Sequence, residues 1–110
     1  MIDRAALERL QEWGGPKLVR EMVRLFLDNS SERVGQIRSG LEENRLEVAE
    51  RAAHSLKSSA ANVGAMSVSR LAQRIEDLAE KGAGDEARGL FPELSEAHEQ
   101  ACRGLEEFGE

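Results

Sequence analysis

The apolar residues of this chain fall in stripes with steps of three and four residues, the spacing that collects side chains on one face of an α-helix. From Asp3 to about Glu12 the stripe is Ile2, Ala6, Leu7 and Leu10, with Asp3 suited to the N-cap, which predicts a short lid helix. Gly14-Gly15-Pro16 breaks it, and Pro16 suits the first turn of a following helix. Val19, Met22, Phe26, Val34, Ile37 and Leu41 then carry one stripe past Ser30-Ser31, which predicts a long helix to about Glu43. The next helix is expected to open with Asn44 as N-cap, to bury Ala49, Ala53, Leu56, Ala60 and Val63, and to stop at Gly64. That buried side is mostly alanine, so neighbouring helices should approach it closely. Val68, Leu71, Ala72, Ile75, Leu78 and Ala79 form a further stripe that ends at Lys81-Gly82-Ala83-Gly84. Ala87, Leu90, Phe91, Leu94, Ala97, Ala101, Leu105 and Phe108 form the last one. Pro92 either lies in the first turn of a helix starting near Phe91 or kinks a longer one, and the sequence leaves both open.

Four helices joined by loops of a few residues must run antiparallel to their neighbours. The expected fold is therefore all-α: an antiparallel up-down four-helix bundle with a short additional N-terminal helix, in one domain spanning residues 1–110. Composition agrees, since the chain is rich in good helix formers and has two prolines and no tyrosine. Four helices close a core within one chain, so a monomer is expected.

A formal net charge of −6 argues against nucleic-acid binding, which requires a basic surface. No apolar run approaches the roughly 20 residues of a membrane span. Met1-Ile2-Asp3-Arg4 does not open a signal peptide, so the expected location is the cytoplasm. The single cysteine, Cys102, has no internal partner and reads as a small, partly buried helix residue.

Helical phase turns His54 roughly 140° away from the centre of the stripe on its helix, so its ring should face water. Lys57 follows within one turn, Ser58 and Ala61 place small groups nearby, and Glu47 and Glu50 precede it. A neutral imidazole has a nucleophilic ring nitrogen and an unperturbed pKa of about 6.5. It can attack phosphorus, and Lys57 would then sit within reach of the phosphoryl charge. On geometry alone, the commoner reading of this pair is an ordinary exposed histidine beside an ordinary surface cation.

The run Ala53-His54-Ser55-Leu56-Lys57-Ser58-Ser59-Ala60-Ala61-Asn62-Val63-Gly64-Ala65 resembles the signature of the histidine-containing phosphotransfer family, typically Ala-His-x-Leu-Lys-Gly-Ser followed by a Gly-Ala turn. Leu71, Ile75 and Glu76 match the family's next helix, and a weaker resemblance covers about the whole chain. The resemblance implies a helical bundle in which His54 is phosphorylated, Lys57 steadies the phosphoryl group and Glu76 holds the other ring nitrogen. Read without it, Glu76 is as readily a solvated surface glutamate. Ser58 departs from the family's usual glycine but remains small enough to admit a partner. The implied partners are response-regulator receiver domains and a hybrid sensor histidine kinase. Magnesium would be supplied by the receiver, with no cofactor held by this chain. No glycine-rich phosphate loop suggests an ATP-dependent kinase activity.

His98 lies close to the last stripe and is expected at the edge of the core. Trp13 is expected to pack the lid helix onto the bundle end. Leu18, Met22 and Leu25 form a secondary stripe, expected to extend the core in preference to forming part of a docking patch. Two rival functions are a bundle that docks receivers without transferring phosphate and a metal-binding bundle. The second would need Glu-x-x-His ligands, whereas Arg51 and Ser95 precede the two histidines by three residues.

Overall fold

Helix boundaries in this protein are set mainly at the C-terminal ends, where a residue free to take positive φ lets the chain turn back. The computed structural model describes residues 2–108, and the regular elements among them are all helical: α1 (Arg4–Glu42), α2 (Leu46–Asn62), α3 (Met66–Glu80) and α4 (Gly84–Phe108). After α2, Gly64 takes φ 79°, Gly64 N–H donates to Ala61 O, and Ala65 N–H reaches back to Ala60 O at 2.9 Å. After α3, Gly82 takes φ 78° and Ala83 N–H donates to Leu78 O at 2.8 Å. Both are Schellman closures, which satisfy carbonyls that a helix end would otherwise leave unpaired.

The α1–α2 turn closes in the same way, and it corrects the expected role of Asn44. Asn44 has φ 55°, and Arg45 N–H donates to Gly40 O at 2.7 Å, so Asn44 completes the end of α1 and does not cap α2. Arg45 occupies the N-cap of α2 without a side-chain bond. Asparagine serves because it tolerates the left-handed region better than most non-glycine residues.

The span of α1 contains a break. A straight helix of 39 residues would measure about 58 Å, more than the molecule's 42 Å long axis. At Gly15 the backbone leaves the helical region, with φ 74° and ψ −174°, a combination that favours glycine. Residues 16–42, about 40 Å of helix, run the length of the bundle. Residues 4–14 turn across its end, capped by Asp3, whose carboxylate accepts from Ala5 N–H at 3.0 Å. Asp3 N–H donates to Gly64 O at 2.7 Å, which ties this segment to the α2–α3 turn, and Leu7 is buried beneath it.

α2 packs against α1 and α3, and α4 packs against α3 and back onto α1. The core joins Leu7, Phe26, Ile37, Leu41, Leu56, Ile75, Leu94 and Leu105 with the alanines of α2. Those alanines permit the expected close approach: a Cβ added at Gly40 of α1 would lie 2.8 Å from Ala49 N of α2.

Two expectations about apolar residues are corrected. Trp13 is 88% exposed: it borders a shallow cavity with Ala6, Leu10 and Ala61 and does not pack the first segment onto the bundle end. Leu25 is 55% exposed and Leu18 is only partly buried, so of this stripe Met22 alone packs against the core as expected. Phe26 and Val23 occupy the inward positions of those turns. α4 starts at Gly84 and passes through Pro92 as an interior residue, which selects the longer of the two helices the sequence left open. The side chain of Phe108 lies outside the described residues. No described helix is long and apolar enough to cross a membrane.

Candidate functional site

The site forms across two antiparallel helices packed against each other. Side chains on a helix tilt toward its N-terminus, so those of α2 and α3 tilt in opposite directions along the shared interface. His54 and Lys57 come from α2 and Glu76 from α3. Glu76 Oε2 lies 2.7 Å from His54 Nδ1, and Glu76 Oε1 accepts from Lys57 Nζ at 2.9 Å. One carboxylate therefore engages both residues, one oxygen for each. The His54 side chain is 61% exposed and the Glu76 side chain is 15% exposed, so the ring projects into solvent above a largely covered acid.

Burial alone would raise the pKa of Glu76, but the hydrogen bonds and positive charge of Lys57 and His54 outweigh it and hold the carboxyl below its ordinary value. Glu76 is thus ionised at neutral pH and has no proton to donate. His54 Nδ1 must carry the hydrogen of the bond they share, and in the neutral ring this leaves a lone pair on Nε2. Lys57 Nζ, with three donors, spends one on Glu76. Ser58 is exposed one turn beyond His54.

Helical phase alone left Glu76 open between a surface glutamate and a partner of His54, and the packing of α3 on α2 brings it to His54. Ser69 was not anticipated from the sequence. It is buried on α3, and its hydroxyl donates to the backbone carbonyl of Lys57 at 3.0 Å. Its position, on the same flank of α3 as Glu76, was the available signal. Among the described residues, no group of three or more His, Cys, Asp or Glu side chains is placed to hold a metal ion.

A model of the Hpt domain family matches residues 21–104, which includes all of α2 and α3 and the three residues that meet at His54. The chain belongs to the Hpt domain family. Its structure is similar to the crystal structure of histidine-containing phosphotransfer protein B from Pseudomonas aeruginosa PAO1, with a TM-score of 0.91. The likeness covers 98% of this chain and 93% of that one at 20% sequence identity, and so speaks to the fold. No curated protein matches the sequence significantly.

The second histidine of this Hpt chain has a different environment. His98 is 8% exposed, its Nε2 is hydrogen-bonded to Ser30 Oγ at 2.7 Å, and its ring tilts against Phe26 with centroids 6.2 Å apart. Cys102 Sγ lies 3.4 Å from the same nitrogen, and burial raises the pKa of its thiol. Burial lowers the pKa of His98, an effect only partly opposed by Glu99. The unfolded chain therefore takes up a proton at this residue near pH 6.5, whereas the folded chain does so only at lower pH. The stability that neutral His98 contributes is complete above about pH 6.5 and lost as pH falls toward the folded pKa, by at most about 1.4 kcal/mol per pH unit. Thermal unfolding followed from pH 7.5 to 5 should show a decline that is smaller in His98→Gln. An equal decline in both proteins would remove His98 as its source.

Proposed function

We propose that this chain relays phosphoryl groups between receiver-domain aspartates, with His54 Nε2 as the covalent acceptor. The observation that carries this reading is the 2.7 Å bond between Nδ1 and an ionised Glu76, made by a ring that is 61% exposed. In the forward step, the Nε2 lone pair forms a bond to phosphorus while the aspartyl oxygen–phosphorus bond breaks and its electron pair returns to the receiver carboxylate. The ring keeps the Nδ1 proton and becomes positively charged, and Glu76 compensates that charge at hydrogen-bond distance. Transfer to a second receiver is the reverse step with a different aspartate.

Lys57 supports the reading as a cation beside the incoming group. Two of its three donors remain after the bond to Glu76, and an ammonium is an effective point-charge partner for phosphate. Magnesium is expected on the receiver. Phosphoryl transfer depends chiefly on positioning and charge stabilisation, so an exposed, oriented imidazole and a docked receiver form a sufficient apparatus. The chain needs no ATP site for this role, and we place it in the cytoplasm as a monomer that meets receivers and a hybrid sensor kinase.

The direct test is incubation with a panel of phosphorylated receiver domains from the same cell. Label should move onto this chain in an acid-labile, base-stable linkage, as for phosphohistidine. Failure with every receiver would favour a bundle that docks without transfer.

The exposed position of Ser58 leads to a second measurement. A long side chain one turn from His54 would fill space the receiver must enter, so Ser58→Gln should slow transfer about tenfold or more with little change in helicity. Ser58→Ala should be nearly silent. Normal transfer by Ser58→Gln would show that the receiver does not approach over this position.

A further inference from the structure

The geometry points to Ser69 as a positioning residue that sets the tautomer of His54 through Lys57 and Glu76, an inference that rests on the proposed phosphoryl-acceptor role of His54. A serine inside a helix ordinarily bonds the carbonyl four residues earlier or faces water. Ser69 does neither: it is buried, and its hydroxyl crosses to α2 to donate to Lys57 O at 3.0 Å. A carbonyl oxygen has two lone pairs, so Lys57 O can accept this bond without giving up its place in the helix.

Two consequences follow from where the bond lies. The residue whose carbonyl is held also carries the ammonium bound to Glu76, and it lies three positions from His54. Ser69 and Glu76, in turn, are seven residues apart on α3, which puts them on one flank about two turns apart. The three side-chain hydrogen bonds joining α2 to α3 among the described residues are His54–Glu76, Lys57–Glu76 and Ser69–Lys57 O. The first two use flexible side chains, and the third holds backbone. The Ser69 bond therefore resists rotation or sliding of α3 along α2, a movement that would withdraw the Glu76 carboxylate from Nδ1. With that carboxylate withdrawn, the proton would be free to distribute between the two ring nitrogens, and part of the population would lose its Nε2 nucleophile.

The test combines ring ¹⁵N NMR of His54 in the unphosphorylated protein with transfer rates from a phospho-receiver, in the parent, Ser69→Ala and Ser69→Thr. Ser69→Ala should move the two His54 ring ¹⁵N shifts toward each other, as a tautomer mixture requires, and slow transfer about fivefold. Ser69→Thr retains the hydroxyl and should recover most of both. In a Glu76→Ala background, adding Ser69→Ala should leave the rate unchanged, because the acceptor through which Ser69 acts is already absent. Should Ser69→Ala fold poorly, Ser69→Cys keeps the volume with a weaker donor and serves the same comparisons. Unchanged ¹⁵N shifts in Ser69→Ala would overturn the inference, as would the same fivefold loss in both backgrounds. Shifts that move in a protein no receiver can phosphorylate would uphold the Ser69 bond's effect on the ring and reject the phosphoryl-acceptor reading.

Discussion

His54→Gln should accept no phosphoryl group from any receiver that labels the parent, while its unfolding temperature stays within a few degrees of the parent's. The two halves of this expectation have different causes. The ring is exposed, and its hydrogen bond runs to a carboxylate that also holds Lys57, so its replacement empties no part of the core. Glutamine offers an amide in place of the ring nitrogen, and an amide nitrogen is a very poor nucleophile. Removing the nucleophile of a covalent relay lowers transfer by on the order of a thousandfold or more. His98→Gln is the natural control: its ring is buried against Phe26 and bonded to Ser30, so that variant should still take label at His54 although it loses stability. Label retained by His54→Gln would move the acceptor elsewhere in the chain.

Gly64→Ala should be among the most destabilising single-methyl additions available in this protein. Its φ of 79° lies where a Cβ costs about 1–2 kcal/mol. A Cβ built there would also come within van der Waals distance of the Asp3 backbone, too close to be accommodated without moving it. Shifting Asp3 would sacrifice the Asp3 N–H bond to Gly64 O, a further contribution of about 1 kcal/mol. The combined loss is expected to be about 2–3 kcal/mol, read as a lower urea midpoint at unchanged slope. Gly89→Ala provides the contrast. That glycine lies within α4, and a Cβ added to it meets nothing within 4 Å, so alanine should stabilise by about 0.5–1 kcal/mol. A loss of only about 1 kcal/mol in Gly64→Ala would leave just the backbone contribution and show that residues 2–6 do not press on the α2–α3 turn.

The sequence by itself determined the helices and the facing of His54, because both depend on neighbours within a turn or two. The alanine stripe of α2 fixes which side is buried, and three to four residues of spacing then place His54 outward with Lys57 and Ser58 nearby. Gly64 and Gly82 end their helices for an equally local reason, the freedom of glycine to take positive φ. Asn44 shows the limit even of local signals: the residue suits an N-cap and a left-handed C-terminal turn alike, and the bond from Arg45 N–H to Gly40 O decides for the turn.

Tertiary structure decided everything that depends on how one helix is rotated and shifted against another. Glu76 is 22 residues from His54, and Ser30 is 68 from His98; periodicity places each on a flank of its helix but does not say which flank of a neighbour it will face. The exposure of Trp13 likewise depends on how the first segment lies across the bundle end after the break at Gly15. A stripe records burial, which averages over many contacts and tolerates several registers. A hydrogen bond of 2.7 Å between two helices tolerates one, and only the packed core of α2 against α3 selects it.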